Sequence, residues 1–423
     1  MLVNQISLKN FKCFRQVDID LSQITLLTGE NSSGKSSLLY GLLAPFQSKE
    51  FPFYLSPNGK YVNMGDFKEI SFKNSTENKI ELDISVTPRA DWKENYQTVW
   101  SVDATNRLPK FDYLRYTYED FYQCEIKAND VYIVNCNVDE QLLEAYLRGK
   151  ENTKIDVEGI RQRFIRYGNV KGLQFTSLDE IYGAMYKDKI QNISYALEEV
   201  DRDLNFIGPF RLEPERTYYQ KTKADEKIGR SGEGYIDQIL EWESQKAEEF
   251  GTLKSILKDL GLLRTLKVQP IRGGRFELNV KVQSNGIWTS LADVGFGISQ
   301  FLPVVVADLQ LSSNSSLLLA QPEIHLHPSV QASLADYFVK QSRETKKQYI
   351  IETHSEYLLN RIRLAIVKGE IEPSNVAVYY FENSVKGSVA HKIEFTKDGQ
   401  ILNAPQGFFD TYMVDTMDIA LHA

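Results

Sequence analysis

Residues 21–43 read LSQITLLTGENSSGKSSLLYGLL and pass from a short apolar run into a glycine-framed loop and then into a helical pattern. The segment 29–36, GENSSGKS, matches the pattern G-x-x-x-x-G-K-[ST] at every fixed position. The two glycines allow successive backbone N–H groups to point at one anion, and the following helix adds its positive N-terminal end. The segment is therefore predicted to be a phosphate-binding P-loop.

The P-loop pattern assigns roles to individual side chains. Lys35 is expected to reach the β- and γ-phosphates of ATP, and the Ser36 hydroxyl is expected to hold Mg²⁺. The residues predicted to bind the nucleotide are Asn31, Ser32, Ser33, Gly34, Lys35, Ser36 and Ser37. A chance glycine loop is the alternative, but strand, loop and helix occur in the order that the motif requires.

Composition limits the class of protein. The 423 residues are 42% hydrophobic and 25% charged, which suits a globular chain with one large domain or two to three smaller ones. The formal net charge of -8 argues against a chain that coats nucleic acid through bulk charge, so any nucleic-acid site must be local. The three cysteines show no C-x-x-C spacing, so neither a disulfide framework nor a zinc cluster is indicated.

The N-terminal sequence lacks a basic segment followed by an apolar signal core. Apolar runs are also shorter than the ~18 residues that mark a bilayer span. We therefore expect a cytoplasmic chain without a membrane partner.

Three further segments follow in the second half of the chain. Residues 291–306 read LADVGFGISQFLPVVV, in which glycines precede a helical pattern and predict a second helix N-terminus able to accept an anion. Residues 317–328 read LLLAQPEIHLHP, a buried strand running into a polar turn, and residues 349–355 read YIIETHS, a strand that ends in a histidine. Each segment is a weak signal by itself, whereas their order after the P-loop is specific.

That order resembles ABC-type ATPases, and EIHLHP followed by ETHS looks like the SMC/RecF/OLD-like branch of these enzymes. Residues 405–410, PQGFFD, are similar to an ATPase family with a GFFD-type C-terminal motif, as in bacterial anti-phage defence ATPases. The resemblance covers residues 1–90 and 205–423. It implies an α/β fold, namely an ABC-type P-loop ATPase head with a mixed sheet and flanking helices, and a largely helical insertion.

We accordingly predict three segments of the chain. Residues 1–90 form the N-terminal lobe of the head with the P-loop, and residues 91–204 form an insertion that is mixed at first and helical from about residue 157. Residues 205–423 form the C-terminal lobe. This lobe contains the glycine signature within residues 291–306, the acid strand within residues 317–328 and the switch histidine His354.

The resemblance also implies an assembly. In such ATPases two heads meet face to face, and the P-loop of one head and the glycine signature of the other enclose one ATP. Gly295, Gly297 and Ser299 would then contact the γ-phosphate bound to the opposite subunit, and His354 would sense that phosphate. The cofactors would be ATP and Mg²⁺, and a dimer or higher homo-oligomer would close only with ATP, as a nucleotide-dependent switch.

The family carries two acids at the end of the apolar strand, just before the proline, and this chain has Ala320 and Gln321 at those positions. In the family the first acid supports Mg²⁺ through its water shell, and the second orients or deprotonates the attacking water. Gln321 can orient water, but the methyl group of Ala320 cannot bind Mg²⁺, and Glu323 could substitute only if the turn shifts register. We therefore predict ATP binding with poor turnover, either because Ala320 is an engineered replacement or because the site is naturally degenerate.

Some side chains near these motifs have two interpretations. His325 and His327 have the spacing of a metal-ligand pair, but no third ligand supports a metal, so a structural or dimer-contact role is preferred. Arg211 and Arg216 are candidates for a phosphate or interface contact, with surface ion pairs as the simpler interpretation.

The predicted function is an ATP-binding switch that gates a separate effector protein, such as a nuclease, or a DNA transaction in anti-phage defence or DNA maintenance. OLD-like proteins carry a nuclease domain after the head, and the segment after His354 is too short for one. Two alternatives stay open, a non-hydrolysing nucleotide-dependent scaffold that sequesters an effector and the nucleotide-binding subunit of a transporter.

Overall fold

A computed structural model describes residues 2–73, 77–88, 92–150, 156–187, 190, 193, 202–221, 223–405 and 408. The chain divides into two compact units. The first unit comprises residues 1–20, 37–202 and 384–388, and the second unit comprises residues 21–36, 203–383 and 389–423.

The first unit is built on an antiparallel sheet. Its strands are β1 Leu2–Phe11, β2 Phe14–Asp20, β4 Lys79–Thr87, β5 Glu94–Val102, β6 Pro109–Tyr118, β7 Tyr122–Ala128, β8 Tyr132–Val138 and β9 Val170–Phe175. They pair in the order β2-β1-β4-β5-β6-β7-β8-β9. The helices of this part of the chain are α1 Lys35–Gln47, which starts in the second unit, α2 Phe67–Ile70, α3 Glu140–Lys150, α4 Val157–Tyr167 and α5 Leu178–Tyr186.

Strands extend further into residues 91–204 than the sequence predicts. The predicted segment boundary after residue 90 falls between β4 and β5, which pair along nearly their whole length. The strand β9 also interrupts the stretch predicted to be helical from residue 157. Cross-strand pairing with residues far away in the chain stabilises these strands, and a local sequence pattern does not reveal such partners.

The second unit is built on a larger, mostly parallel sheet and a smaller one. The strands of the larger sheet are β3 Ile24–Gly29, β10 Leu204–Ile207, β15 Ser316–Ala320, β16 Gln348–Glu352, β17 Val376–Ser384, β18 Gly387–Phe395 and β19 Ile401–Leu402. Those of the smaller sheet are β11 Tyr218–Tyr219, β12 Thr265–Ile271, β13 Arg275–Lys281 and β14 Thr289–Ser290. The helices are α6 Tyr235–Ser244, α7 Glu248–Asp259, α8 Phe296–Gln310, α9 Pro328–Thr345 and α10 Glu356–Val367.

The order of the larger sheet decides which residues meet. Its strands run β10-β15-β16-β3-β17-β18-β19, and the first five are parallel to one another. Every residue of β15 and β16 is buried, as is typical of parallel strands covered on both faces. Because the carboxyl ends of parallel strands meet at one edge of a sheet, the ends of β3, β15 and β16 form a common edge. The expected mixed α/β fold is therefore confirmed.

None of the described helices combines the length and the apolar character needed to cross a bilayer.

Candidate functional site

The loop that follows β3 depends on its glycines. Gly29 and Gly34 have φ of +129° and +105°, which side chains other than hydrogen rarely tolerate. A Cβ atom at Gly29 would lie 2.1 Å from the backbone oxygen of Phe381 on β17. Glycine is therefore required at position 29, both for the backbone conformation and for the close approach of β17.

Lys35 is buried and folds back over this loop. Its Nζ donates hydrogen bonds to the backbone oxygens of Gly29 at 3.0 Å and Glu30 at 2.5 Å. Burial lowers the pKa of Lys35, and the nearby carboxylates of Glu352 and Glu30 act in the opposite direction. The ammonium group is thus held inside the loop by weak acceptors, which a phosphate can replace with stronger ones.

The other P-loop residues predicted to bind nucleotide surround this lysine in the sequence. Asn31 and Ser32 are exposed, Ser33 and Gly34 are buried, and Ser37 is partly buried in the first turn of α1. The Ser33 hydroxyl donates to the backbone oxygen of Glu30 at 2.7 Å, which closes the loop on itself.

Ser36 contacts a carboxylate that the sequence pattern does not single out. Its hydroxyl lies 3.0 and 2.9 Å from the two carboxylate oxygens of Glu352, the last residue of β16. Glu352 is only 4% exposed, and burial raises its pKa, whereas the Ser36 hydrogen bond and the charge of Lys35 lower it. Hydroxyl and carboxylate oxygens are the ligands that Mg²⁺ prefers, so this pair fits the metal that the P-loop implies.

The turn after β15 buries a second carboxylate. Gln321 adopts a left-handed φ of +48°, and its N–H donates to the backbone oxygen of Glu352 at 2.7 Å. Glu323 is consequently 7% exposed, and its Oε1 accepts a hydrogen bond from the backbone N–H of His354 at 2.8 Å. Its Oε2 is buried without a hydrogen-bond partner among the described residues. Burial also raises the pKa of Glu323.

A buried arginine donates hydrogen bonds to the backbone at the end of β15. The Nη2 atom of Arg211 donates to the backbone oxygens of Ala320 at 3.1 Å and Gln321 at 3.3 Å. Burial lowers the pKa of Arg211 to about 10, and the charge of Glu323 opposes that shift. Arg216 instead forms an exposed ion pair with Asp293, so the simpler interpretation applies to it.

The glycine signature forms the N-terminus of α8. Gly295 and Phe296 are exposed, and no side chain in the described ranges caps this helix end with a hydrogen bond. A Cβ atom at Gly297 would lie 2.9 Å from the backbone oxygen of His325, so this glycine allows α8 to approach the turn that follows β15. The Ser299 hydroxyl is buried and donates to the backbone oxygen of Phe296 at 3.0 Å, and it therefore faces its own helix.

The three histidines named from the sequence motifs have different surroundings. Desolvation of the His354 ring lowers its pKa, and the charge of Lys35 lowers it further. His327 caps α9, with its Nδ1 accepting from the Ser329 N–H at 3.3 Å, and the exposed His325 lies beside the Phe296 ring. The described residues contain no group of three His, Cys, Asp or Glu side chains placed to hold a metal ion, so a histidine metal pair gains no support.

Comparison with known families decides the classification. Residues 1–359 match the family model described as an AAA ATPase domain. The chain belongs to the AAA ATPase domain family. Residues 371–419 of this AAA ATPase domain protein match a second family, described as a protein of unknown function (DUF3696). The prediction of a P-loop ATPase is thereby confirmed.

The second match includes the GFFD motif of the C-terminal segment. Within this motif only Phe408 is described, and its buried ring packs edge-on against Tyr380 at 5.7 Å between centroids. The other three residues of the motif lie outside the described residues.

Solved structures similar to the chain include three SMC heads. An SMC head bound to the C-winged helix domain of ScpA shares 12% identity at a TM-score of 0.47, covering 93% of this chain and 98% of that one. The SMC head domain from Thermotoga maritima shares 12% identity at 0.42, covering 93% and 100%. An Smc head with an extended coiled coil, bound to the C-terminal domain of ScpA derived from Pyrococcus furiosus, shares 12% identity at 0.41, covering 99% of both chains. None of the curated proteins matches.

Proposed function

We propose that this AAA ATPase domain protein is an ATP-dependent switch, which closes a head-to-head dimer of two copies when ATP binds and reopens after hydrolysis. The observation that carries the proposal is the pair of buried carboxylates, Glu352 and Glu323, beside the lysine and serine of the P-loop. Buried carboxylates without full pairing destabilise a fold, and clusters of them are typical of functional sites.

The residues of the site divide the work of hydrolysis. Lys35 would bind the β- and γ-phosphates of ATP, and the Ser36 hydroxyl would hold Mg²⁺, which when bound neutralises charge on the phosphate oxygens. Glu323 accepts the proton of the attacking water, because its buried carboxylate has a raised pKa and its Oε2 has no hydrogen-bond partner within the described part of the chain. Gln321 orients that water and His354 contacts the γ-phosphate.

The glycine signature provides the contact between two copies. The N-terminus of α8 is exposed at Gly295 and Phe296, and none of the residues that the structure describes caps it with a side chain, so its N–H groups and dipole are available to an anion. We propose that this helix end binds the γ-phosphate of the ATP held by the partner copy. Ser299 would join the contact only after its hydroxyl leaves the Phe296 carbonyl.

Light scattering tests the proposal on the full chain with ATP, with ADP and without nucleotide. The wild-type chain is expected to dimerise with ATP only, and Lys35→Ala is expected to stay monomeric because it loses the phosphate contact. A monomeric wild-type chain at saturating ATP would contradict the proposal. A dimer that forms with ATP but shows no hydrolysis would instead favour the scaffold alternative.

Two glycine variants separate the interface from the fold. A Cβ atom at Gly295 meets no atom within 4 Å, so Gly295→Glu is expected to fold and bind ATP but to repel the partner's phosphate by its charge and bulk. A Cβ atom at Gly251 on α7 also meets no atom within 4 Å, so Gly251→Glu serves as the matched control, with dimerisation unchanged.

The effector is proposed to be a separate chain, such as a nuclease, acting in anti-phage defence or DNA maintenance, with DNA as a further partner. The support is the motif resemblance, together with a net charge of -8 that disfavours bulk DNA binding by this chain alone. Plaque counts on cells that express the chain with its neighbouring genes test the setting. Equal counts for the wild type and Lys35→Ala would contradict a defence role.

A further inference from the structure

Ala320 and Glu352 are direct neighbours across two parallel strands. The register pairs Ala320 on β15 with Glu352 on β16, and Glu352 in turn pairs with Leu27 on β3. Register partners in a parallel sheet project their side chains to the same face, with about 4.8 Å between the strands. A carboxylate at position 352 is therefore one strand closer to the P-loop strand than one at position 320, and it lies on the same face.

The surroundings of Glu352 suit a cation. Both of its oxygens lie within 3.0 Å of the Ser36 hydroxyl, which the P-loop pattern assigns to Mg²⁺. Glu352 is buried, and Glu323 adds a second buried negative charge that repels it. A dication would offset both charges, whereas the single hydroxyl and the nearby Lys35 offset them only in part.

The same register explains the alanine. An acid at position 320 would place a carboxylate directly beside that of Glu352 on the same face, where two like charges destabilise each other. A small apolar side chain at position 320 avoids this repulsion and still packs, since Ala320 is 3% exposed.

We infer that Glu352 replaces the acid missing at position 320 and is the carboxylate that holds Mg²⁺ in this site. The inference rests on the proposed ATP-dependent function and names the metal-binding residue of the same site. It makes an engineered change at Ala320 unnecessary as an explanation and replaces the expectation of poor turnover with that of a metal-competent ATPase.

The experiment measures the affinity of a fluorescent ATP analogue with Mg²⁺ and with EDTA, alongside the electron paramagnetic resonance signal of bound Mn²⁺. The wild-type chain is expected to bind the analogue more tightly with Mg²⁺, and Glu352→Gln is expected to lose at least about tenfold of this enhancement. Asp336→Asn is the matched control, expected to keep the enhancement, because the Asp336 carboxylate lies on α9 in an exposed ion pair with Arg361. If Mg²⁺ strengthens analogue binding by Glu352→Gln as much as it does for the wild-type chain, the inference is overturned.

An exchange variant guards against a simple folding defect. Glu352→Ala combined with Ala320→Asp moves the carboxylate back by one strand, and we expect it to recover part of the Mn²⁺ signal that Glu352→Ala alone loses. Failure of the exchange variant to recover that signal, although its circular dichroism matches the wild type, would also count against the inference. If the wild-type chain binds no nucleotide with or without metal, the proposed function itself fails.

Discussion

At the scale of single residues, Glu323 is the side chain whose chemistry is easiest to isolate. Replacing it by glutamine retains the Oε1 acceptor for the His354 N–H but removes the proton-accepting carboxylate. We predict that Glu323→Gln binds ATP with unchanged affinity and hydrolyses it about 10²- to 10⁴-fold more slowly, the usual contribution of a general base. Steady-state phosphate release and nucleotide titration measure the two effects separately.

Gln321→Ala provides the comparison at the neighbouring residue. Gln321 has only an amide side chain and cannot accept a proton in this pH range, so its loss is expected to slow hydrolysis less than the loss of Glu323. If Glu323→Gln has the same turnover number as the wild-type chain, Glu323 is not the general base. Gln321 would then be the residue that acts on the attacking water.

At the scale of elements, one buried network joins two helices to the central sheet. Asp308 on α8 is 0% exposed and accepts hydrogen bonds from Tyr337 on α9 and from Tyr349 on β16, the latter at 2.9 Å. Lys347 completes the network at 3.3 Å from Asp308 Oδ1 and also donates to the Asp308 backbone oxygen. This network fixes β16, and therefore Glu352 at its end, relative to the flanking helices.

Lys347→Met is predicted to destabilise the protein strongly. It leaves the Asp308 carboxylate buried without its cation, which typically costs about 3–5 kcal/mol in the free energy of unfolding. Urea unfolding measures this change. Arg361→Met is the matched control, because Arg361 and Asp336 form an ion pair between α9 and α10 whose side chains are 39% and 44% exposed. Such exposed pairs contribute about 0–1 kcal/mol, so similar losses for both variants would contradict the role of burial.

The elements also show what the sequence can predict. The P-loop, the glycine-preceded helix α8 and the strands β15 and β16 follow from local patterns, because each has its signal within ten to twenty residues. Glu352 is missed because its role depends on β16 lying between β15 and β3, an order that no local pattern encodes. The burial of Glu323 is missed because it needs the left-handed conformation of Gln321, which non-glycine residues adopt rarely.

At the scale of the whole molecule, the proposed switch couples nucleotide binding to association. If ATP tightens the dimer, the dimer must tighten ATP by the same factor, because the coupling free energy is shared by both equilibria. The apparent affinity for ATP should then rise with protein concentration, since a higher concentration of chains favours the closed dimer by mass action.

We therefore predict that the apparent ATP affinity of Glu323→Gln, in which hydrolysis does not interfere, increases when the protein concentration is raised through the range where dimers form. In the double variant with Gly295→Glu the affinity should be independent of protein concentration, because the carboxylate at the N-terminus of α8 repels the partner's phosphate. Titration of a fluorescent ATP analogue at several protein concentrations gives both curves. If the apparent ATP affinity depends on protein concentration in the same way for both variants, the N-terminus of α8 does not contribute to ATP binding by the partner. The signature glycines would then need a role other than closing the dimer.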